Sequence, residues 1–161
     1  MEEKVYDLFK KLEIPFKVKV HPALFKAKDN DELNIDFENG ICCKNLLLKD
    51  KKKDKLYLVC LDISKRANLK DIADKLKTGR LSFASEDELI ENLGVKSGSA
   101  SLLNIVEKQD TKVKFVIDEE LNKDIDVWFH PNINTASICF KADKIQKILE
   151  HFNADYIYLD F

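Results

Sequence analysis

Two nearly continuous apolar runs, Ile41–Leu48 and Lys55–Asp62, flank the segment Lys49–Lys55, which carries five lysines in seven positions. Apolar runs of this length separated by a polar turn predict two paired strands. Neither run alternates strictly between apolar and polar residues. Both faces of each strand should therefore be covered, which places the pair at the centre of a sheet.

The remaining periodicities are mixed. Val5, Leu8, Phe9 and Leu12 recur at helical spacing over Glu2–Leu12, and Pro15 should stop that helix near Glu13. Phe16–Val20 alternates as a half-buried strand ended by His21-Pro22. Asp29–Glu38 reads as a short helix or loop. Asn68–Lys77 is an amphipathic helix with Asn68 as its cap, and Ser85-Glu86-Asp87-Glu88 is a capping box opening a helix to Leu93, stopped by Gly94. Strands are expected over Leu81–Phe83, Leu102–Val106, Lys112–Ile117, Asp126–Phe129, Thr135–Phe140 and Tyr156–Leu159. A last helix is expected over Asp143–Phe152, and Val95–Ser101 as a loop. Helices and strands are interspersed without regular alternation, so the class is α+β (mixed α/β). The 161 residues fit one domain, 1–161.

Composition closes off several functions. Hydrophobic residues at 45% and charged residues at 35% exclude a disordered chain. No apolar run approaches the roughly 20 residues that span a bilayer. The N-terminus lacks the basic-then-apolar pattern of a secretory leader, so a cytoplasmic location is expected, with no membrane contact. Cys42, Cys43, Cys60 and Cys139 form no CxxC pair and no zinc spacing, so no metal or cofactor is expected. Cys42 and Cys43 should face opposite ways on a strand as small apolar residues; a reactive thiol is the sharper alternative. A net charge of −2 leaves nucleic-acid contact to local patches. The lysine turn, Lys51, Lys52 and Lys53 above all, is either a solvated hairpin turn or a loop that touches phosphates.

Three polar features interrupt apolar surroundings. Lys44 lies inside an apolar strand and must snorkel or enter a cavity. Lys96–Ser101 is built of small residues around Gly98 and could let backbone amides approach an oxyanion, although it also suits an ordinary connector. Phe129–Ala136 is a polar turn containing His130, Asn134 and Thr135. His21 and His151 stand isolated.

Taken in order, Lys44-Asn45-Leu46-Leu47-Leu48 with Asp50, Val95-x-x-Gly98-Ser99, and Phe129-His130-Pro131-x-x-Asn134-Thr135-Ala136 resemble the YbaK/prolyl-tRNA-synthetase-associated editing domains. The likeness is strongest to their free-standing alanyl-tRNA(Pro) deacylases (the ProX or PrdX proteins), and His21-Pro22 also fits. In place of the prolines that usually flank the family's glycine loop stand Ser97 and Leu102. The resemblance implies a mixed sheet or partial barrel flanked by helices. It also implies hydrolysis of the ester joining a wrong amino acid to tRNA. Lys44, Gly98, Ser99 and His130 would then be catalytic, and Asn45, Ala100, Asn134, Thr135 and Lys51–Lys53 would bind substrate. Mischarged tRNA, most readily Ala-tRNA(Pro), is the implied partner, with prolyl-tRNA synthetase as a second. Cys-tRNA(Pro), seryl or threonyl esters, and a binding module without turnover remain alternatives.

Overall fold

The computed structural model describes residues 2–23, 40–109 and 112–161. The segment Asp29–Glu38 lies outside them. Among the described residues are four α-helices, α1 (Glu2–Lys11), α2 (Leu69–Leu76), α3 (Glu86–Leu93) and α4 (Ile145–His151). Eight strands accompany them: β1 (Lys17–Val20), β2 (Ile41–Asp50), β3 (Lys55–Asp62), β4 (Leu81–Phe83), β5 (Val113–Asp118), β6 (Asp126–Phe129), β7 (Ala136–Lys141) and β8 (Tyr156–Leu159). The strands form one mixed sheet in the order β1-β7-β6-β2-β3-β5-β8, with β4 added to β2. The mixed α+β class read from the sequence is the class observed. No helix among the described residues is long and apolar enough to cross a membrane.

The expected central hairpin is β2 and β3, antiparallel from Cys43↔Asp62 to Asp50↔Lys55. Its lack of alternation follows from two cores. Leu58 and Cys60 join a larger core with Phe115, Ile117, α1 and α4. Tyr57, Val59 and Leu61 face a smaller core closed by Ile72 and Ala73 of α2. α2 starts at Asn68, whose side chain accepts from the Asp71 amide, and α3 starts with the complete Ser85–Glu88 capping box. α1 contributes Phe9, fully buried and edge-on to Phe16 and Phe140 at centroid distances of 5.5 and 4.9 Å.

One element departs from expectation. Leu102–Val106 is a 3-10 helix with all five residues buried, not a strand. Ser101 caps it and Asn104 completes a capping box, so its backbone is satisfied locally. The last helix is also shorter than expected: a 3-10 turn over Ala142–Lys144 precedes α4.

β2 is the organising strand. One edge pairs with β3. The other edge is shared: Ile41 and Cys42 pair in parallel with β6, whereas Leu48–Asp50 pair antiparallel with β4. Between them the sheet is split, and the 3-10 helix is tied to β2 there: Asn45 Oδ1 accepts the Leu102 amide at 3.0 Å.

Truncation of Phe9 should remove the aromatic contact that fixes α1 to β7. Phe9→Ala is expected to cost about 3–5 kcal/mol, read by urea unfolding with an unchanged m-value.

Candidate active site

The split in the sheet is bordered by segments that carry several of the residues singled out from the sequence. β2 and β6 run parallel with Cys42 level with Trp128. Continued by one pleat, that register brings Lys44 level with His130, where the two strands part. The segment Ser101–Leu102 lies between them. Ser101 Oγ donates to the His130 carbonyl at 3.2 Å, and the Leu102 amide donates to Asn45.

Adjacent residues on β2 serve opposite faces. Cys43, Asn45 and Leu47 point to the larger core side, and Cys42, Lys44 and Leu46 to the other. Lys44 and Asn45 therefore cannot contact one small ligand from the same side. Asn45 is committed to holding the loop. Lys44 is half-buried, and its Nζ donates to the Lys65 carbonyl. Burial pulls the Lys44 pKa below its ordinary value, and Asp62 opposes the shift. An ammonium has three donors, so two remain after the Lys65 bond. Lys65 is itself anchored by buried Asp118 at 2.7 Å and by Glu120 at 2.9 Å. The carbonyl that holds Lys44 is thus fixed in turn.

His130 Nδ1 lies 3.3 Å from the Ala136 carbonyl. A carbonyl only accepts, so Nδ1 carries the proton and Nε2 presents a lone pair. Burial lowers the His130 pKa, the Ala136 bond opposes this, and His21 lowers it further. Neutral imidazole is therefore the favoured form. The His21 ring stands 6.3 Å away. Its Nδ1 bonds the Pro22 carbonyl at 2.8 Å, so its Nε2 accepts from Ser137 Oγ, also at 2.8 Å. His21 is thus no isolated histidine but a fixed neighbour of His130.

Gly98 has φ +86°, the left-handed region that glycine tolerates, and it is exposed. Most amides around it are already engaged. Ser97 donates to Glu86, Ser99 to the Lys96 carbonyl, and Ser101 to Asn104 Oδ1. On either side of Ser99, the amides of Gly98 and Ala100 have no partner among the described residues. They, rather than the Ser99 amide, can offer donors to an oxyanion.

Ser101, Asn104 and Asn132 are not among the residues that the sequence singles out. All three are buried and form one chain of bonds. Asn104 Oδ1 accepts from the Ser101 amide at 2.7 Å, and Asn104 Nδ2 donates to Asn132 Oδ1 at 2.8 Å. The signal was present as Ser101-x-x-Asn104, a capping-box spacing hidden in an apolar run. Asn134, by contrast, is half-buried, and Thr135 is exposed and gives its carbonyl to the His21 amide. Lys51, Lys52 and Lys53 are exposed in the β2–β3 turn, roughly 20 Å or more from Lys44 at about 3.3 Å per strand residue.

The thiols are unsuited to nucleophilic work. Cys42 is pushed up to about 11, first by burial and then by Asp62 and Cys139. Cys43 is raised well above its ordinary value, chiefly by burial and by its hydrogen bond with Cys60. Among the described residues no cluster of His, Cys, Asp or Glu could hold a metal ion. A separate cleft of about 360 Å³, lined by Lys55, Gln109, Lys112, Phe152 and Asp155 among others, contains none of these residues.

Comparison with known proteins shows the family of the chain. A family model described as the aminoacyl-tRNA editing domain matches residues 21–148. The chain is 30% identical over 139 residues to the prolyl-tRNA editing protein ProX of Acetoanaerobium sticklandii, covering 86% of this chain and 84% of that protein. It is 33% identical over 154 residues to prolyl-tRNA synthetase associated domain-containing protein 1 of Bos taurus, covering 93% and 89%. A solved structure described, provisionally, as a trans-editing enzyme for prolyl tRNA synthetase superposes with a TM-score of 0.69 at 20% identity, covering 99% and 96%; that likeness is one of fold.

Two measurements test the site. In ¹⁵N NMR spectra His130 should be the neutral Nδ1–H tautomer at pH 7 and titrate below the ordinary 6.5. Because the folded pKa is depressed, its contribution to stability is complete above the unfolded value and lost as pH falls through the folded one. A midpoint above 6.5 would contradict the assignment. Asn104→Ala strands the Ser101 amide and Asn132 Oδ1 and should cost roughly 1–3 kcal/mol for each, read by urea unfolding.

Proposed function

The chain belongs to the aminoacyl-tRNA editing domain family, and from that premise we propose that it is a free-standing deacylase that clears mischarged tRNA, with Ala-tRNA(Pro) as its substrate. What supports the reading is the tie of the segment after the glycine loop to both strands at the split, Ser101 to the His130 carbonyl and Leu102 to Asn45, next in sequence to Lys44.

The chemistry asks little of the protein. An aminoacyl ester is already activated, so positioning and oxyanion stabilisation can supply the catalysis without a protein nucleophile. Water adds to the ester carbonyl carbon. Its proton passes through the 2′-hydroxyl of the terminal ribose to the 3′ oxygen as the carbon–oxygen bond breaks. Free amino acid and tRNA leave. The free donors of Lys44 hold the terminal phosphate or the carbonyl oxygen. The Gly98 and Ala100 amides face the charge that develops on that oxygen. The Nε2 lone pair of His130 accepts from the ribose or from the α-ammonium, and Asn134 and Thr135 of the same turn add contacts to the substrate.

The choice of alanine rests on discrimination. A synthetase pocket that admits proline cannot strongly reject a smaller side chain, because each methylene is worth only about 1–3 kcal/mol. A second and smaller pocket must remove the error. Such an enzyme works where charged tRNA is made, in the cytoplasm, and prolyl-tRNA synthetase is the partner that would hand it substrate.

A panel of mischarged tRNAs tests the reading. Ala-tRNA(Pro) should be hydrolysed in preference to Cys-tRNA(Pro) and to seryl or threonyl esters. Lys44→Ala should slow deacylation by roughly 10²–10³-fold, the scale of losing one oxyanion donor, while the melting temperature holds. Saturable binding without release of amino acid would overturn it.

A further inference from the structure

Asp62, at the end of β3, begins the turn that carries Lys65. Its carbonyl accepts the Lys65 amide at 3.0 Å, and its Oδ1 accepts the Ser64 amide at 2.9 Å. The Ile63 amide donates to the Cys42 carbonyl at 2.8 Å, which fastens the turn to β2 two residues before Lys44. The carbonyl of Lys65 accepts from Lys44 Nζ. The side chain of Lys65 leaves for another strand, where its Nζ reaches Asp118 Oδ2 at 2.7 Å and Glu120 Oε2 at 2.9 Å. β3 and β5 run parallel with Cys60 level with Ile117, so the ion pair ties the carboxyl ends of two adjoining strands. Lys44 is level with Leu61 at that same end.

Asp118 is the last residue of β5 and has no exposed surface. Its two oxygens do different work. Oδ1 accepts the Glu120 amide at 3.0 Å and caps the 3-10 turn Glu119–Leu121, whereas Oδ2 meets Lys65. A cap alone needs neither a charge nor a second oxygen, since asparagine or serine would serve. A carboxylate taken wholly out of water is costly unless a cation and hydrogen bonds answer it. Among the described residues, Lys65 is the cation that does so. Glu120 is 53% exposed, and its bond to Lys65 is the weaker support. Lys44 needs such support. A lysine head is strongly hydrated and its stem flexible, so without a fixed acceptor it swings to water. Burial pulls the Lys44 pKa below its ordinary value, as expected of an ammonium held back from water, and Asp62 is the carboxylate that acts on it directly.

We propose that Asp118 is a positioning residue for Lys44 and acts through Lys65. The buried carboxylate holds the Lys65 side chain, the Lys65 carbonyl holds the Lys44 ammonium, and the remaining donors of that ammonium are thereby aimed. The inference rests on the editing reading only for what Lys44 does to a substrate. Asp118 itself touches no reacting atom.

The test reads Lys44 first without substrate and then with it. In the full chain with lysine labelled by ¹³C at Cε, the Lys44 NMR signal is assigned by its loss in Lys44→Arg. It should titrate below the ordinary 10.5. Asp118→Asn keeps the capping oxygen and removes the charge; Lys65→Met keeps the carbonyl and removes the ammonium. Both should move the Lys44 midpoint up toward 10.5, Glu120→Gln should move it less, and Lys65→Arg should leave it in place. Loss of a nearby negative charge would by itself lower a lysine pKa, so a rise reads escape of the ammonium into water. With Ala-tRNA(Pro), Asp118→Asn and Lys65→Met should slow deacylation roughly 10–100-fold, since a misplacement of about 1 Å can cost 10²-fold. Lys65→Arg should retain most of the activity. In a Lys44→Ala background, Asp118→Asn should cost nothing further, because the two act as one unit. An unmoved Lys44 midpoint in both variants would overturn the proposal, as would an equal loss of activity with and without Lys44. If Lys44→Ala loses deacylation while Asp118→Asn and Lys65→Met keep it and leave the midpoint unmoved, the positioning role fails and the editing reading stands. If the midpoint responds but no form releases amino acid, the reverse holds.

Discussion

The hydrogen bond from the Leu102 amide to Asn45 Oδ1 fastens the 3-10 helix to β2 beside the split in the sheet, and the placing of the glycine loop depends on that bond. Between Cys42 and Leu48, β2 has no strand partner opposite β3 among the described residues, because β6 leaves before β4 arrives. An open edge inside a sheet leaves backbone groups unpaired, which is costly away from water. The 3-10 helix fills the opening with Leu102, Leu103, Ile105 and Val106, all in the larger core. Its capping residues supply the polar side of the closure. Ser101 ties it to the His130 carbonyl, and Asn104 ties it to Asn132. The glycine loop is therefore positioned by a buried network rather than by prolines at its two ends. That accounts physically for how Ser97 and Leu102 can stand where the family's prolines usually do.

Buried networks of this kind are sensitive to each member. Asn132 spends its Oδ1 on Asn104 but leaves Nδ2 buried without a partner among the described residues, and its φ is +67°. Both features carry a cost of about one to a few kcal/mol. The cost falls on the turn that carries His130. Bending the chain sharply after β6 turns His130 Nδ1 onto the Ala136 carbonyl and so fixes its tautomer. Stability given up at Asn132 sits beside a lone pair gained at His130, a local imbalance of the kind folds tolerate at working sites.

The parts of this architecture legible in the sequence are the local ones. The β2–β3 hairpin announces itself through two apolar runs and a lysine turn. The helix starts at Asn68 and Ser85 declare themselves through side chains that reach only three residues along the chain. The pairings β2–β6, β3–β5 and β5–β8 are parallel and join distant segments, so periodicity does not report them. Leu102–Val106 was misread because an apolar run is the same in a buried strand and a buried 3-10 helix. Only the Ser101–Asn104 spacing distinguished them. Of the candidate site, Lys44 and His130 were visible as polar residues inside apolar strands, and the resemblance carried the rest. That they lie level depends on a parallel register that neither segment contains alone. His21 looked isolated because its partner Ser137 lies on another strand, across the β1–β7 pairing.

The same strand explains why Lys44 and Asn45, adjacent in sequence, have such different work. Side chains alternate across a strand, so one position faces the Lys65 side and the next faces the larger core. Asn45 uses the core side to hold the loop in place. Lys44 uses the other side, where Lys65 carries it and Asp118 and Glu120 carry Lys65. A one-residue slip of β2 against β3 would exchange the two, turning the ammonium into the larger core and releasing the loop. The full register from Cys43 to Asp50 forbids that slip. Burial of alternate residues in two separate cores enforces it, since Leu47 belongs to one and Leu48 to the other. The apolar character of β2 is thus what holds its one inward lysine and its one structural asparagine on the correct faces.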